Sequence, residues 1–142
     1  MNKKKRNGIS IGGWKVHFLV SLAFGFLTFP AYAKTEKEIF IENKCNKCHS
    51  VKAQEIEPLP KSLKEDKEIH DLSGVGVKRD ADWIKKWLKK EVANEEGKKH
   101  KEKWKGSDED LDTLANWLAK QKTEISKEEI KKWLEELKKK VK

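Results

Sequence analysis

A connection of thirty residues, 50–79, is the feature that most constrains the fold of this 142-residue chain. It holds Pro58, Pro60, Gly74 and Gly76, and it shows neither the helical nor the alternating period of a regular element. Loops of this length without structure of their own are uncommon in compact domains and are usually functional. Charged side chains make up 40% of the chain, so its apolar core must be small. We therefore expect the loop to wrap around a bound group.

The residues just before this connection indicate what that group is. They read Cys45-Asn46-Lys47-Cys48-His49, and a Cys-x-x-Cys-His string is the attachment signature of a c-type haem. The spacing places two thiols on one turn, where each can add to a vinyl group on the same edge of a porphyrin and form a thioether. The adjacent His49 can then bind the iron as its proximal axial ligand. We predict one haem c, attached covalently through Cys45 and Cys48.

Three other interpretations of the two cysteines are a structural disulfide, a thioredoxin-like redox pair and half of a zinc site. A thioredoxin-like pair should follow a strand in an α/β pattern, and the sequence shows no such pattern. A structural zinc site needs four ligands, and the chain has no second pair of cysteines.

Four segments of the chain carry helix signals. Their predicted caps are Thr35 with Glu38, Asp80, Ser107 with Asp110, and Ser126 with Glu129. The first segment is expected to run to Cys45. Apolar residues recur at helical spacing in the other three: Trp83, Ile84, Trp87 and Leu88; Leu111, Leu114, Ala115 and Leu118, with Trp117 at the edge; and Ile130, Trp133, Leu134, Leu137 and Val141. No run alternates with period two, so the predicted fold is all-α without a sheet.

The distribution of charge disfavours one broad class of partner. The formal net charge is +9, but the first 33 residues hold five basic groups and no acidic ones, and residues 120–142 hold nine lysines against five glutamates. Residues 34–119 are balanced. A nucleic-acid-binding protein carries its basic patch on the folded body, so we do not expect nucleic acid as a partner.

The N-terminal segment, residues 1–33, has the three parts of a secretory signal peptide. Basic residues come first, an apolar run from Phe18 to Phe29 follows, and the segment ends in Ala31-Tyr32-Ala33. The apolar run is shorter than the roughly 20 residues that a membrane-spanning helix needs. We expect cleavage near Ala33 and a mature protein in the periplasm, or otherwise outside the cytoplasmic membrane. The alternative is an uncleaved N-terminal anchor.

Together with the haem motif, three stretches make roughly residues 36–121 resemble the class I c-type cytochromes, which are small monohaem electron carriers, and we expect a cytochrome c domain over residues 34–122. Phe40 stands five residues before Cys45, where the family keeps an aromatic residue on its N-terminal helix. The stretch 71–79 and the tryptophan-rich segment after it look like the loop and helix that line the haem, and residues 114–118 look like the C-terminal helix. The resemblance implies an all-α cytochrome c-like fold around one covalent haem, with Phe40 meeting Trp117 and Leu118. Residues 123–142 would then form an extra C-terminal amphipathic helix.

The second axial ligand departs from the family pattern. Class I cytochromes generally supply a methionine from a loop before the C-terminal helix, but the one methionine here is Met1, in the predicted signal. His100 stands where the resemblance would place that methionine, and imidazole suits iron, so we predict His100 as the distal ligand. His70 stands where many relatives have a proline on the proximal side. Its carbonyl, or that of Pro58 or Pro60, is expected to accept a hydrogen bond from the proximal histidine.

Other occupants of the sixth position are water, no ligand, or a lysine of the same loop. A lysine would first have to lose a proton at a normal pKa of about 10.4, whereas histidine loses its proton far more readily.

The predicted function is the transfer of single electrons between redox proteins by an exported, monohaem, bis-histidine carrier, not an enzyme. No constellation of a catalytic acid, base or nucleophile accompanies the haem motif. With both axial positions filled, the iron needs no small-molecule substrate. Two alternatives are a haem enzyme or ligand sensor with an open or displaceable sixth position, and a haem subunit docked in a larger membrane respiratory complex through its last helix.

Overall fold

A computed structural model describes residues 33–142 of the chain. The predicted export signal, 1–33, therefore lies outside the described residues except for Ala33. Six α-helices account for most of the regular structure in the described part: α1 (Glu36–Glu42), α2 (Pro60–Lys64), α3 (Val75–Lys78), α4 (Ala81–Leu88), α5 (Asp108–Ala119) and α6 (Lys127–Val141). None of the helices in this part has both the length and the apolar content needed to span a membrane.

The four longest of these helices begin at the predicted caps. Thr35 accepts a hydrogen bond from the Glu38 backbone, and the Glu38 side chain accepts one from the Thr35 backbone, which completes a capping box. The side chains of Asp80, Ser107 and Ser126 each accept a hydrogen bond from the backbone N–H three residues later. Caps are local features because donor and acceptor lie within one turn, so the sequence predicts them well.

The core lies where α1 crosses α5. Phe40 of α1 is fully buried, and its ring meets the Trp117 ring edge-on with the centroids 6.0 Å apart. This contact confirms the pairing of Phe40 with Trp117 that the resemblance implies. The predicted stripe of α5 is buried at all four positions: Leu111, Leu114, Ala115 and Leu118. The all-α fold predicted from the sequence is thus confirmed.

The connection 50–79 contains more structure than its sequence pattern indicates. A two-residue strand β1 (His49–Ser50) pairs in parallel with a second strand β2 (His70–Asp71), in the register His49 to His70. The expectation of no sheet is therefore wrong at this place. Strands of two residues are too short to show an alternating pattern, and their pairing depends on a long-range contact.

The Asp71 carboxylate stabilises this strand pair. It accepts hydrogen bonds from the Ser50 hydroxyl at 2.8 Å, the Lys52 backbone N–H at 2.8 Å and the Ser73 backbone N–H at 2.9 Å. Hydrogen bonds to a charged acceptor are stronger than those between neutral groups. One carboxylate thus joins the two ends of the long connection beside His49.

The last helix, α6, packs on α2 rather than extending into solvent. Leu63 of α2 and Leu137 of α6 are both buried. Lys138 of α6 forms an ion pair with Asp66 at 2.6 Å, just beyond the end of α2. Isolated helices of this length are marginal in water, so packing against the body stabilises α6.

Candidate functional site

The two cysteines lie on a tight turn that follows α1. The helix ends at Glu42, three residues earlier than predicted, and Lys44 adopts a left-handed backbone conformation with φ of 57°. A 3₁₀ turn over Cys45–Lys47 follows, and the Cys48 N–H donates to the Cys45 carbonyl at 3.2 Å. The left-handed residue redirects the chain, so α1 cannot continue to Cys45 as expected. Both thiols nevertheless lie on one turn, as the spacing predicts.

Cys45 and Cys48 are both half-buried and do not form a disulfide with each other. Burial raises the pKa of the Cys45 thiol to about 11. Redox-active cysteines of the thioredoxin type instead have a lowered pKa, because the thiolate is the reactive form. The environment of Cys45 therefore disfavours the thioredoxin-like interpretation.

His49 lies at the start of β1, where the strand pairing orients its ring. The His70 N–H donates to the Cys48 carbonyl at 2.9 Å, and the His70 carbonyl lies 3.3 Å from Nδ1 of His49. Desolvation, and then the nearby His100, lowers the pKa of His49 to about 4. The imidazole is consequently neutral near pH 7, which is the form that binds metals.

His100 comes from the irregular segment between α4 and α5, and its half-buried ring lies near that of His49. The two ring centroids are 6.1 Å apart, and the ring planes differ by 11°. Nδ1 of His100 lies 2.5 Å from the Glu102 carbonyl. Two histidines 51 positions apart in the sequence are thus brought together with each Nδ1 at a backbone carbonyl.

The segment that carries His100 is anchored by its own polar contacts. The Asn94 side chain accepts hydrogen bonds from the backbone N–H groups of Glu96 and Lys98 at 3.1 and 2.9 Å. The Asn94 N–H in turn donates to the Lys98 carbonyl at 2.8 Å. Downstream, the Trp104 N–H donates to the Leu88 carbonyl at 2.9 Å, which ties the segment to the end of α4.

His70 contributes its backbone rather than its side chain to the neighbourhood of His49. Its ring centroid also lies 6.1 Å from that of His49, but the planes are tilted by 44° and the side chain is 57% exposed. Of the three carbonyls considered from the sequence, that of His70 is the one within hydrogen-bonding distance of Nδ1. Since this carbonyl faces Nδ1, the opposite ring nitrogen, Nε2, points away from it.

Sequence reasoning assigned Trp87 to the apolar face of α4 and missed its contact with His100. The Trp87 ring meets the His100 ring edge-on, with centroids 5.7 Å apart, and it stacks on Trp83 at 5.1 Å. The helical spacing of the two tryptophans was the available signal for the stack. The contact with His100 depends on the path of the intervening loop, for which the sequence offers no signal.

Within residues 33–142, no three or more His, Cys, Asp and Glu side chains cluster closely enough to hold a metal ion by themselves. A pair of neighbouring imidazoles, one of them next to a Cys-x-x-Cys turn, instead suits a metal that brings its own equatorial ligands, as the iron of a porphyrin does.

Comparison with known proteins identifies the family. The family model for cytochrome c matches residues 34–122. No curated protein and no solved structure matches the chain. The matched residues include the Cys-x-x-Cys-His string and the α1–α5 crossing, and this family binds haem c covalently and carries electrons. The chain therefore belongs to the cytochrome c family.

Proposed function

We propose that this protein is an exported monohaem cytochrome in which His49 and His100 are the two axial ligands of the iron and through which single electrons pass between protein partners. The observation that carries the proposal is the arrangement of the two imidazoles, whose centroids lie 6.1 Å apart with nearly parallel planes.

The separation of the rings fits a shared metal. A bond between a metal and an imidazole nitrogen is about 2 Å long, and the ring centroid lies about 1 Å beyond that nitrogen. Two imidazoles on opposite sides of one metal therefore have centroids roughly 6 Å apart. The observed separation of 6.1 Å agrees with this requirement.

The hydrogen bonds of the two rings fit the same role. Metal-binding histidines usually donate their second ring N–H to a carbonyl or carboxylate, which fixes the tautomer and strengthens the ligand. His49 can do so with the His70 carbonyl, and His100 with the Glu102 carbonyl. In each ring, Nε2 has no hydrogen-bond partner among the described residues and is available to the iron.

Cys45 and Cys48 are the proposed thioether donors, because they lie on one turn and directly precede His49. The haem supplies reversible one-electron chemistry when bound. With His49 and His100 in both axial positions, no position is left for a substrate, which favours a carrier over a peroxidase-like enzyme or a ligand sensor. The partners are then redox proteins, or a membrane respiratory complex, that meet the protein at its surface.

Export is supported by the N-terminal sequence. Covalent haem attachment and the signal-like segment 1–33 agree with a protein that matures in the periplasm. Intact-mass measurement of the protein from a host that exports it tests this part, because cleavage near Ala33 should remove the segment and leave the mass of one haem added. A protein that keeps all 142 residues would instead support an uncleaved anchor.

Optical spectroscopy of the purified protein with its haem tests the ligation. We expect a six-coordinate low-spin spectrum that does not change when carbon monoxide is added to the ferrous form. His100→Ala should open the sixth position, so that carbon monoxide binds. His70→Ala is the matched control, because its ring lies as far from that of His49 but its contribution is a backbone carbonyl; it should keep the low-spin spectrum.

Two results would contradict this ligand assignment. One is a spectrum that His100→Ala leaves unchanged, which would exclude His100 as the ligand. The other is rapid binding of carbon monoxide to the unaltered protein, which would favour an open or displaceable sixth position and thus a haem enzyme or sensor.

A further inference from the structure

We propose that Trp87 is a positioning residue that sets the plane of the His100 imidazole and holds it nearly parallel to that of His49. The proposal rests on the proposed function, since it requires both imidazoles to bind the iron. It starts from the edge contact between Trp87 and His100, whose ring planes meet at 64° with the centroids 5.7 Å apart. Edge-to-face contacts of this kind are favourable and depend on orientation.

The other contacts of the His100 ring restrain its plane only relative to the segment that carries it. The bond from the ring to Cβ and the hydrogen bond between Nδ1 and the Glu102 carbonyl restrict rotation of the ring. That carbonyl, however, lies two residues from His100 in the same irregular segment between α4 and α5, so the ring and its acceptor can move together. Trp87 lies on α4, outside this segment, and its edge contact relates the imidazole plane to the helical core.

Trp87 is itself held in place by a second tryptophan ring. The Trp83 ring stacks on it with centroids 5.1 Å apart and planes 17° from parallel. The Arg79 guanidinium lies 4.0 Å from the centroid of the Trp83 ring, a cation–π contact, and also forms an ion pair with Glu95. The stack thus connects the start of α4 with the segment that carries His100, and it limits how far Trp87 can rotate.

The angle between the two imidazole planes has an electronic consequence. Each imidazole interacts through its π system with the iron d orbital that lies perpendicular to its ring plane. Parallel rings act on the same one of the two π-type iron d orbitals and separate its energy from that of the other. Ferric iron then gives a rhombic electron paramagnetic resonance signal. Perpendicular rings act on different orbitals and give one strongly anisotropic signal. The identity of the ligands, which sets the optical spectrum, is the same in both cases.

Trp117 offers a matched control for a purely structural role of Trp87. It is also a half-buried tryptophan on a core helix, and its ring meets that of Phe40 edge-on at 6.0 Å and 65°. Its packing is therefore similar to that of Trp87, but it does not contact His100. If Trp87 serves only as core, the same substitution at either position should affect stability and leave the ring angle unchanged.

The experiment compares Trp87→Leu, Trp87→Phe and Trp117→Leu as ferric holoproteins by optical and paramagnetic resonance spectroscopy. The unaltered protein should show a rhombic low-spin signal. Trp87→Leu should lose that signal in favour of a more anisotropic or heterogeneous one while its optical spectrum stays low-spin. Trp87→Phe should retain the rhombic signal because an aromatic edge remains, and Trp117→Leu should leave it unchanged.

The outcomes separate this inference from the proposed function. A strongly anisotropic signal from the unaltered protein, or an unchanged rhombic signal in Trp87→Leu, would overturn the positioning role while bis-histidine ligation stands. An unaltered protein that binds carbon monoxide would overturn the ligation and this inference with it. If the Trp87→Leu holoprotein does not accumulate, Trp83→Leu is the second variant, because it removes the ring that supports Trp87. Its paramagnetic resonance signal should be broader than that of the unaltered protein. An unchanged signal would contradict the proposal.

Discussion

The close approach of α3 to the end of α5 makes Gly76→Ala a sensitive test of the fold. A Cβ atom on Gly76 would lie 2.1 Å from the Ala119 carbonyl oxygen and 2.6 Å from its carbon. Ordinary van der Waals contact begins near 3.4 Å, so the backbone would have to move by more than 1 Å. Because the obstructing atoms belong to the backbone, no change of side-chain rotamer can relieve the clash.

The change in the free energy of unfolding caused by Gly76→Ala is the sum of one favourable and two unfavourable contributions. Alanine is favoured over glycine within a helix by up to about 1 kcal/mol. Against this, overpacking costs about 1–3 kcal/mol. Displacing α3 would also disturb the hydrogen bond from the Gly76 N–H to the Gln121 carbonyl, 2.8 Å long, with a net value of about 1 kcal/mol. We expect the free energy of unfolding to fall by roughly 2–3 kcal/mol, and the melting temperature by about 10 °C.

Thermal and guanidinium unfolding of the ferric holoprotein, followed by circular dichroism, measures this change. Gly74→Ala is the matched control at the N-cap of the same helix, because its Cβ would lie 3.3 Å from the Thr123 carbonyl oxygen and needs only a slight adjustment. It should cost less than about 1 kcal/mol. The sign is decisive: if Gly76→Ala leaves the free energy of unfolding unchanged or raises it, the close approach to Ala119 does not exist.

Four further predictions concern the ligands and the last helix. His100→Met should raise the midpoint potential by a fraction of the roughly 0.8 V that axial ligands span, because a thioether favours ferrous iron. Potentiometry measures the potential, and a sulfur-to-iron charge-transfer band shows that the methionine binds. A lower midpoint potential would contradict this reasoning. Replacing Cys45 and Cys48 with alanine should make haem extractable by acid and organic solvent, whereas haem that extracts freely from the unaltered protein would refute covalent attachment. Leu137→Ala should lower the free energy of unfolding by about 2–4 kcal/mol, since the side chain is 3% exposed. Truncation after Gln121 should cost stability but keep the low-spin spectrum, so loss of the sixth ligand would show that α6 has a role in ligation.

Features that depend on neighbouring residues could be predicted from the sequence alone. The caps at Thr35, Asp80, Ser107 and Ser126 and the buried stripe of α5 follow from hydrogen bonds and periodicity within a few turns. The attachment motif is equally local, because both thiols and His49 lie within five residues. The prediction of His100 as the distal ligand has a different basis, because it combines the lack of a methionine after Met1 with the position at which the family resemblance places that methionine.

The remaining features were decided by tertiary structure. Three contacts join residues that are separated in the chain by a connection without a regular period. They are the parallel pairing of His49 with His70, the close approach of Gly76 to Ala119 and the edge contact of Trp87 with His100. Such contacts depend on the paths of the connections 50–79 and 89–107, which have no period from which a path could be read. The end of α1 at Glu42, before the left-handed Lys44, has the same cause: the chain must turn there to bring His49 to His70, and only the folded structure imposes that requirement.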